Sequence, residues 1–193
     1  MTTIVSFDVS SSTIGFGVLE TDGYKINYIN SGYYKPIHSG SIIEDLIETR
    51  KEISKIINDS KPDIICIEDI IKFMKGKSTA DTIIKLTSFN RMICLLAYDY
   101  LNEYPKLFNV LSIRHGLKEN KILPKKEDMP ELVSKHLGIK FPYEYNKKGK
   151  SKVENEDVAD GIAVGLYYAF VLTGKCKLPK IKKPKSEKKI KKK

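Results

Sequence analysis

An α/β fold, a mixed five-stranded sheet with helices on both faces, is what this 193-residue sequence predicts, and three observations carry the expectation. Two β-rich runs, IVSFDV and IGFGVL, flank a small polar turn at Ser10 to Thr13, and a third, Tyr24 to Tyr34, completes an antiparallel meander. Helical periodicities then alternate with short apolar runs. The most apolar stretch, Gly161 to Leu172, is 12 residues long, too short to cross a bilayer and suited to a buried helix. Strands in series followed by alternating helices and strands favour a mixed sheet covered on both sides.

Each element has its own signal. Ser41 to Asn58 sets Ile42, Ile43, Leu46, Ile47, Ile53, Ile56 and Ile57 at helical spacing with charges opposite. Pro62 resets the chain into DIICIE, Asp63 to Glu68, which reads as a central strand. A polar loop, Lys72 to Ser78, leads into a long helix from Thr79 to Asn102, and Pro105 precedes a strand expected at Phe108 to Ile113. After a basic loop come a helix at Lys126 to His136, a polar loop at Asn146 to Lys152, and a helix from Asn155, its expected N-cap, to Leu172. The order is β-β-β-α-β-α-β-α-α, with no internal repeat.

The length suits one domain that folds without disulfides or structural metal. Cys66, Cys94 and Cys176 are odd in number and lack CxxC spacing, and His38, His115 and His136 are scattered, so neither a disulfide framework nor a zinc site is expected. With no leader-like start, the expected setting is intracellular, cytoplasmic or nuclear, and not secreted or membrane-bound. The formal charge of +10 is concentrated at one end. Residues 175–193 hold 11 Lys and one acid, Glu187, so residues 1–174 form a formally neutral globular domain and the lysine-rich tail carries the excess. Such a tail is expected to be disordered and to act as a phosphate-binding arm, an import signal or a solubilising segment.

The chemistry lies in misplaced acids. Asp8 ends an apolar run where a strand should be buried, and Glu68 repeats the anomaly after Ile64, Ile65, Cys66 and Ile67. Asp157 and Asp160, three residues apart, share a helix face, and Asp160 sits between Ala159 and Gly161 in the most apolar helix. Asp157 alone could serve the helix dipole. Sites in such sheets form outside strand ends, near the switch in strand order, where Asp8 and Glu68 would be neighbours. Four converging carboxylates repel unless cations intervene, and oxygen-only ligation favours Mg²⁺ or Mn²⁺. Two such ions, about 3.5 to 4 Å apart, clamp an in-line displacement at a phosphodiester.

Four segments, SFDVSSSTIGFGVLE, INYINSGYYK, PDIICIEDI with downstream STADTIIKL, and EDVADGIAVGLYYA, resemble the RuvC-type Holliday junction resolvases of the ribonuclease H-like superfamily. The resemblance runs from the N-terminus to about Thr173 and excludes the tail. It implies a ribonuclease H-like sheet and a homodimer that nicks symmetry-related strands of a four-way DNA junction, using no nucleotide cofactor. Asp8, Glu68, Asp157 and Asp160 match the family's metal-binding catalytic acids, Lys126 is similar to a lysine near the scissile phosphate, and Arg114 falls near a second family lysine. Lys72, Lys75 and Lys77 around Phe73, together with Arg114 and Lys125, are the candidate DNA contacts. The chain departs from the family at Val9 to Ser12, where Gly and often Pro are usual, and at Ile71, where an aromatic is usual and Phe73 is the nearby substitute. The helix from Thr79 to Asn102 is the expected dimer interface.

Other readings stay open. A ribonuclease H acting on RNA/DNA hybrids would take its Glu from the first helix, at Glu44, Glu48 or Glu52. FDVSSSTIGFGV also resembles the phosphate hairpin of actin-like and sugar-kinase-like ATPases, but that fold needs two such halves. A non-catalytic nucleic-acid-binding module is the third.

Overall fold

The computed structural model describes residues 1–70, 79–119 and 122–178. Five strands form one mixed sheet: β1 (Thr2–Val9), β2 (Ile14–Thr21), β3 (Ile26–Tyr34), β4 (Ile64–Glu68) and β5 (Lys106–Phe108), in the order β3-β2-β1-β4-β5. The meander β1-β2-β3 is antiparallel, whereas β4 pairs parallel to β1 and β5 parallel to β4. The predicted five-stranded mixed sheet is therefore present. Strand order reverses between β1 and β4, and the C-terminal ends of these two parallel strands lie side by side.

Helices cover both faces. The α1 helix (Ile42–Ser60) starts at Ser41, whose hydroxyl accepts from the Glu44 amide, and ends in a left-handed residue, Lys61 at φ 46°. The α2 helix (Ala80–Leu101) is capped by Thr79 and closed by a left-handed Asn102, matching its predicted bounds. Both pack on the face formed by Val5, Phe7, Val9, Ile14, Val18, Ile65 and Ile67. The opposite face presents Ile4, Leu19 and Cys66 to α3 (Val110–Leu117), α4 (Met129–Leu137) and α5 (Glu154–Leu172). Strand alternation thus decides which face a strand-end acid serves: Asp8 follows Ile4 and Ser6, and Glu68 follows Cys66, so both belong to the α5 face.

Three expectations need correction. The strand expected at Phe108 to Ile113 is a three-residue strand followed by a helix, because the Asn109 side chain accepts from the Ser112 amide at 2.9 Å and starts α3 immediately. The helix expected from Lys126 begins at Met129, with Pro130 in its first turn, leaving Lys126 in the preceding turn. Asn155 is not an N-cap: α5 has no side-chain cap, and Asn155 is buried inside its first turn. Among the described residues no helix is long and apolar enough to cross a membrane, and the three cysteines are free thiols.

Candidate active site

Small residues bring α5 against the sheet. A Cβ on Gly161 would stand 2.6 Å from the carbonyl carbon of Gly15 and 2.7 Å from its oxygen, and one on Gly17 would stand 2.7 Å from the Cα of Ile162. One on Gly15 would overlap the Asp157 carbonyl. The helix backbone therefore rests on the β2 backbone. Ser6 Oγ fixes the contact by donating to the Gly161 carbonyl at 2.7 Å, and a Cβ on Gly165 would collide with that same hydroxyl. This approach sets the first turns of α5, and with them Asp157 and Asp160, over the end of β1.

The result is a cavity of about 490 Å³ at the switch point, lined by Asp8, Glu68, Asp157, Asp160, Arg114 and Lys126. Asp8 stands one step past the paired residues Phe7 and Ile67, beside Glu68 in register. Ser10, Ser12 and Thr13 form the lip, in a turn held by the Ser10 hydroxyl, which donates to the Thr13 carbonyl at 2.7 Å. All four predicted acids thus line one cavity, although among the described residues no three His, Cys, Asp or Glu side chains gather around one point.

Their electrostatics are strained. Burial, followed by the charges of Glu68, Asp160 and Asp157, holds the Asp8 carboxyl well above its ordinary range. Burial and Asp160 push Glu68 up to about 7, against the pull of Arg114 and Lys126. Asp160, only 9% exposed, rises to about 6, chiefly through burial, with Lys126 and Arg114 again opposing. Lys126 Nζ donates to Asp157 Oδ1 at 2.6 Å; burial disfavours its charge, but this bond and the nearby acids raise its pKa. The buried Nε of Arg114 has no hydrogen-bond acceptor, although the side chain lines the cavity. Lys125 is exposed and pairs with Glu127 at 3.7 Å, away from the lining. Lys72, Phe73, Lys75 and Lys77, like Ile71, lie outside the described residues.

The donor set fits divalent cations: only oxygen ligands are offered, and three carboxyls are displaced upward by burial and mutual charge, which a hard cation relieves. Glu44, Glu48 and Glu52 of α1 do not line the cavity, and Glu48 pairs with Lys51 at 2.6 Å. Sequence reasoning missed two positioning groups. Asn90, buried in α2, donates from Nδ2 to the Glu68 carbonyl at 2.8 Å and fixes the end of β4. Asn155 joins α5 to the preceding loop. An amide within an apolar helical pattern is the signal for Asn90; Asn155 gave none distinct from a cap.

Comparison with known proteins identifies the family and the fold. The family described as crossover junction endodeoxyribonuclease RuvC matches residues 4–109, a span that contains Asp8 and Glu68 and stops short of Lys126, Asp157 and Asp160. A crossover junction endodeoxyribonuclease RuvC from Fusobacterium nucleatum is 26% identical over 136 residues, covering 70% of this chain and 68% of the relative. Among solved structures, Thermus thermophilus RuvC in complex with Holliday junction substrate superposes with a TM-score of 0.64 at 15% identity, covering 88% of this chain and 94% of that one. The yeast mitochondrial Holliday junction resolvase superposes with a TM-score of 0.61 at 13% identity, covering 89% and 79%.

Proposed function

The chain belongs to the RuvC family of crossover junction endodeoxyribonucleases, and from that premise we propose that it resolves four-way DNA junctions by paired, symmetric, metal-dependent nicks. The observation that carries the reading is the cavity in which Asp8, Glu68, Asp157 and Asp160 meet Lys126 and Arg114 at the sheet's switch point. The four acids would hold Mg²⁺ or Mn²⁺, two ions per site, which when bound supply a nucleophilic water and neutralise charge on the phosphodiester.

The chain's own groups do the rest. Burial of Asp8 and Glu68 raises the cost of leaving these carboxyls charged without cations, so cation binding would be coupled to loss of their protons. Lys126, held at Asp157, places an ammonium where charge develops on the phosphoryl oxygens. Arg114, whose side chain lines the cavity, is the second fixed cation there and would face a phosphate oxygen with its guanidinium. The Asn90 contact to the Glu68 carbonyl keeps the β4 end from drifting as substrate arrives.

A single cavity makes one cut, so paired nicks call for a second subunit. The surface that supports a homodimer is α2 with the edge strand β5: Leu95 is 64% exposed, and Arg91, Cys94, Leu95, Tyr98, Tyr104 and Leu107 line a shallow cavity of about 410 Å³ there. A DNA substrate and free thiols support an intracellular setting, cytoplasmic or nuclear.

Labelled four-way junction, linear duplex and RNA/DNA hybrid, each with Mg²⁺ or EDTA, test the reading. Junction cut at symmetric positions only with Mg²⁺ is expected, with Asp8→Asn and Glu68→Gln abolishing cleavage and retaining junction binding. Cleavage of hybrid that depends on Glu48 and not Glu68 would replace the reading with a ribonuclease H. Binding without cleavage in Mg²⁺ would leave a non-catalytic module.

A further inference from the structure

The loop between α4 and α5 has no part in the chemistry above, yet it is built. Residues 140–152 hold Lys140, Lys147, Lys148, Lys150 and Lys152 against one acid, Glu144. In a domain that is formally neutral as a whole, this is a concentrated positive segment. It folds as a closed hairpin. Tyr145 bridges Ser151, the Asn146 amide donates to the Lys150 carbonyl at 2.8 Å, and Asn146 Oδ1 accepts from the Lys148 and Lys150 amides at 2.9 and 3.1 Å. Gly149 takes the left-handed conformation the turn needs, at φ 72°.

The hairpin is bolted to the catalytic helix. Asn155, 3% exposed, donates from Nδ2 to the Glu144 carbonyl at 2.8 Å and to Ser151 Oγ at 2.9 Å, while its Oδ1 accepts from the Glu144 amide at 2.9 Å. Lys152 and Tyr33 both bond Glu144, tying the base to β3. Lys152 is thereby engaged, but Lys147, Lys148 and Lys150 are exposed at the tip and form no ion pair among the described residues. Below them the Phe141, Tyr143 and Tyr145 rings pack in tilted pairs at centroid distances of 4.8 and 6.2 Å, with Tyr145 60% exposed. Val153 and Glu154, which follow the hairpin directly, line the active-site cavity. Lys150 is seven residues before Asp157, so it stands no more than about 25 Å from it along the chain. That is less than one turn of duplex, about 34 Å.

We propose that the hairpin from Tyr143 to Lys152 is a prong that grips the phosphate backbone of one duplex arm within a turn of the cut site. The assignment rests on the nuclease reading for its occupant. Its rigid attachment through Asn155 means that an arm held by the prong is also held in register with α5 and its two acids. Sequence-independent phosphate contact is the role that suits ammonium groups and tyrosine hydroxyls, which fix orientation without reading bases.

The test compares the full-length chain with a Lys147→Ala, Lys148→Ala, Lys150→Ala triple variant and the matching triple Arg variant. Junction affinity is measured by anisotropy over a salt series in EDTA. The triple Ala variant should bind more weakly and flatten the slope of log affinity against log salt by up to about 2.7, at about 0.9 per phosphate contact, and the Arg variant should restore it. A hydroxyl-radical footprint should show one arm protected beside the nick in the wild type and open in the triple Ala variant. An unaltered slope and footprint would overturn the prong. Because binding is read in EDTA, absence of cleavage by the wild type would count against the nuclease reading and leave this result standing.

Discussion

Asp160→Asn should stabilise the metal-free protein while abolishing cleavage, and its effect should depend on pH. Asp160 has an ordinary pKa of 3.8 and is raised to about 6 in the folded chain, first by burial. A rise of roughly two units at about 1.4 kcal/mol per unit corresponds to on the order of 3 kcal/mol. The sign follows from proton uptake. Between the unfolded and folded pKa values the folded state binds more protons, so stability falls as pH rises through that window and stays low above it. Asn is neutral at every pH and escapes this loss. The variant should therefore nearly match the wild type at pH 4, exceed it by about half the full amount at pH 5, and exceed it by the full amount at pH 8. At about 2 to 4 °C per kcal/mol for a chain of this size, the Tm at pH 8 should be about 6 to 12 °C higher. Thermal melts of both proteins in EDTA across this pH range check it, and Mg²⁺ at pH 8 should raise the Tm of the wild type more than that of the variant. An offset that is the same at all pH values, or a variant less stable at pH 8, would refute the claim that Asp160 is held charged against burial.

Lys126→Ala should lower the single-turnover cleavage rate by about two orders of magnitude with little change in junction affinity, because its ammonium acts on developing charge; an unchanged rate removes it from the site. Gly161→Ala should lower stability by about 1 to 3 kcal/mol in melts and depress cleavage, since its new Cβ meets β2 backbone and pushes α5, with its acids, off the sheet. Truncation after Gly174, the proposed domain boundary, should leave a metal-dependent nuclease whose DNA binding has a shallower salt slope, read by anisotropy; equal slopes would show that the 11 lysines of residues 175–193 make no DNA contact.

The sheet and its acids were legible because their signals are local and opposed to expectation. A carboxylate ending IVSF or IICI violates strand composition within a few residues, so Asp8 and Glu68 were visible without any knowledge of pairing. Asp157 and Asp160 followed from helical spacing. What was not legible depends on groups distant in sequence. Ser6 meets Gly161 across 155 residues, and Asn90 reaches the Glu68 carbonyl across 22. Neither contact has a spacing rule. The segment after Phe108 was misread for another reason: Val110, Leu111 and Ile113 favour a strand by composition, and one side-chain cap at Asn109 reverses the outcome. Asn155 shows the same competition at the opposite end, where a residue type favoured at caps instead spends its amide on the Tyr143 to Lys152 hairpin.

The charge count in the cavity explains why stability is sacrificed there. Asp69 and Glu154 also line it, but each has its own cation, Arg91 and Lys35. The remaining four acids, Asp8, Glu68, Asp157 and Asp160, face two cations, Lys126 and Arg114, a formal balance of −2. A phosphodiester brings another negative charge and would be repelled. Further fixed cations could neutralise the acids permanently, but they would then compete with the scissile phosphate for the same oxygens. With the proposed pair of divalent ions the balance becomes +2, and the cavity changes from excluding a phosphate to attracting one. Above the raised carboxyl pKa values the strain is relieved by the cation-loaded state, so at pH 8 the resting fold carries a few kcal/mol of instability as the condition for holding a strongly charged site open.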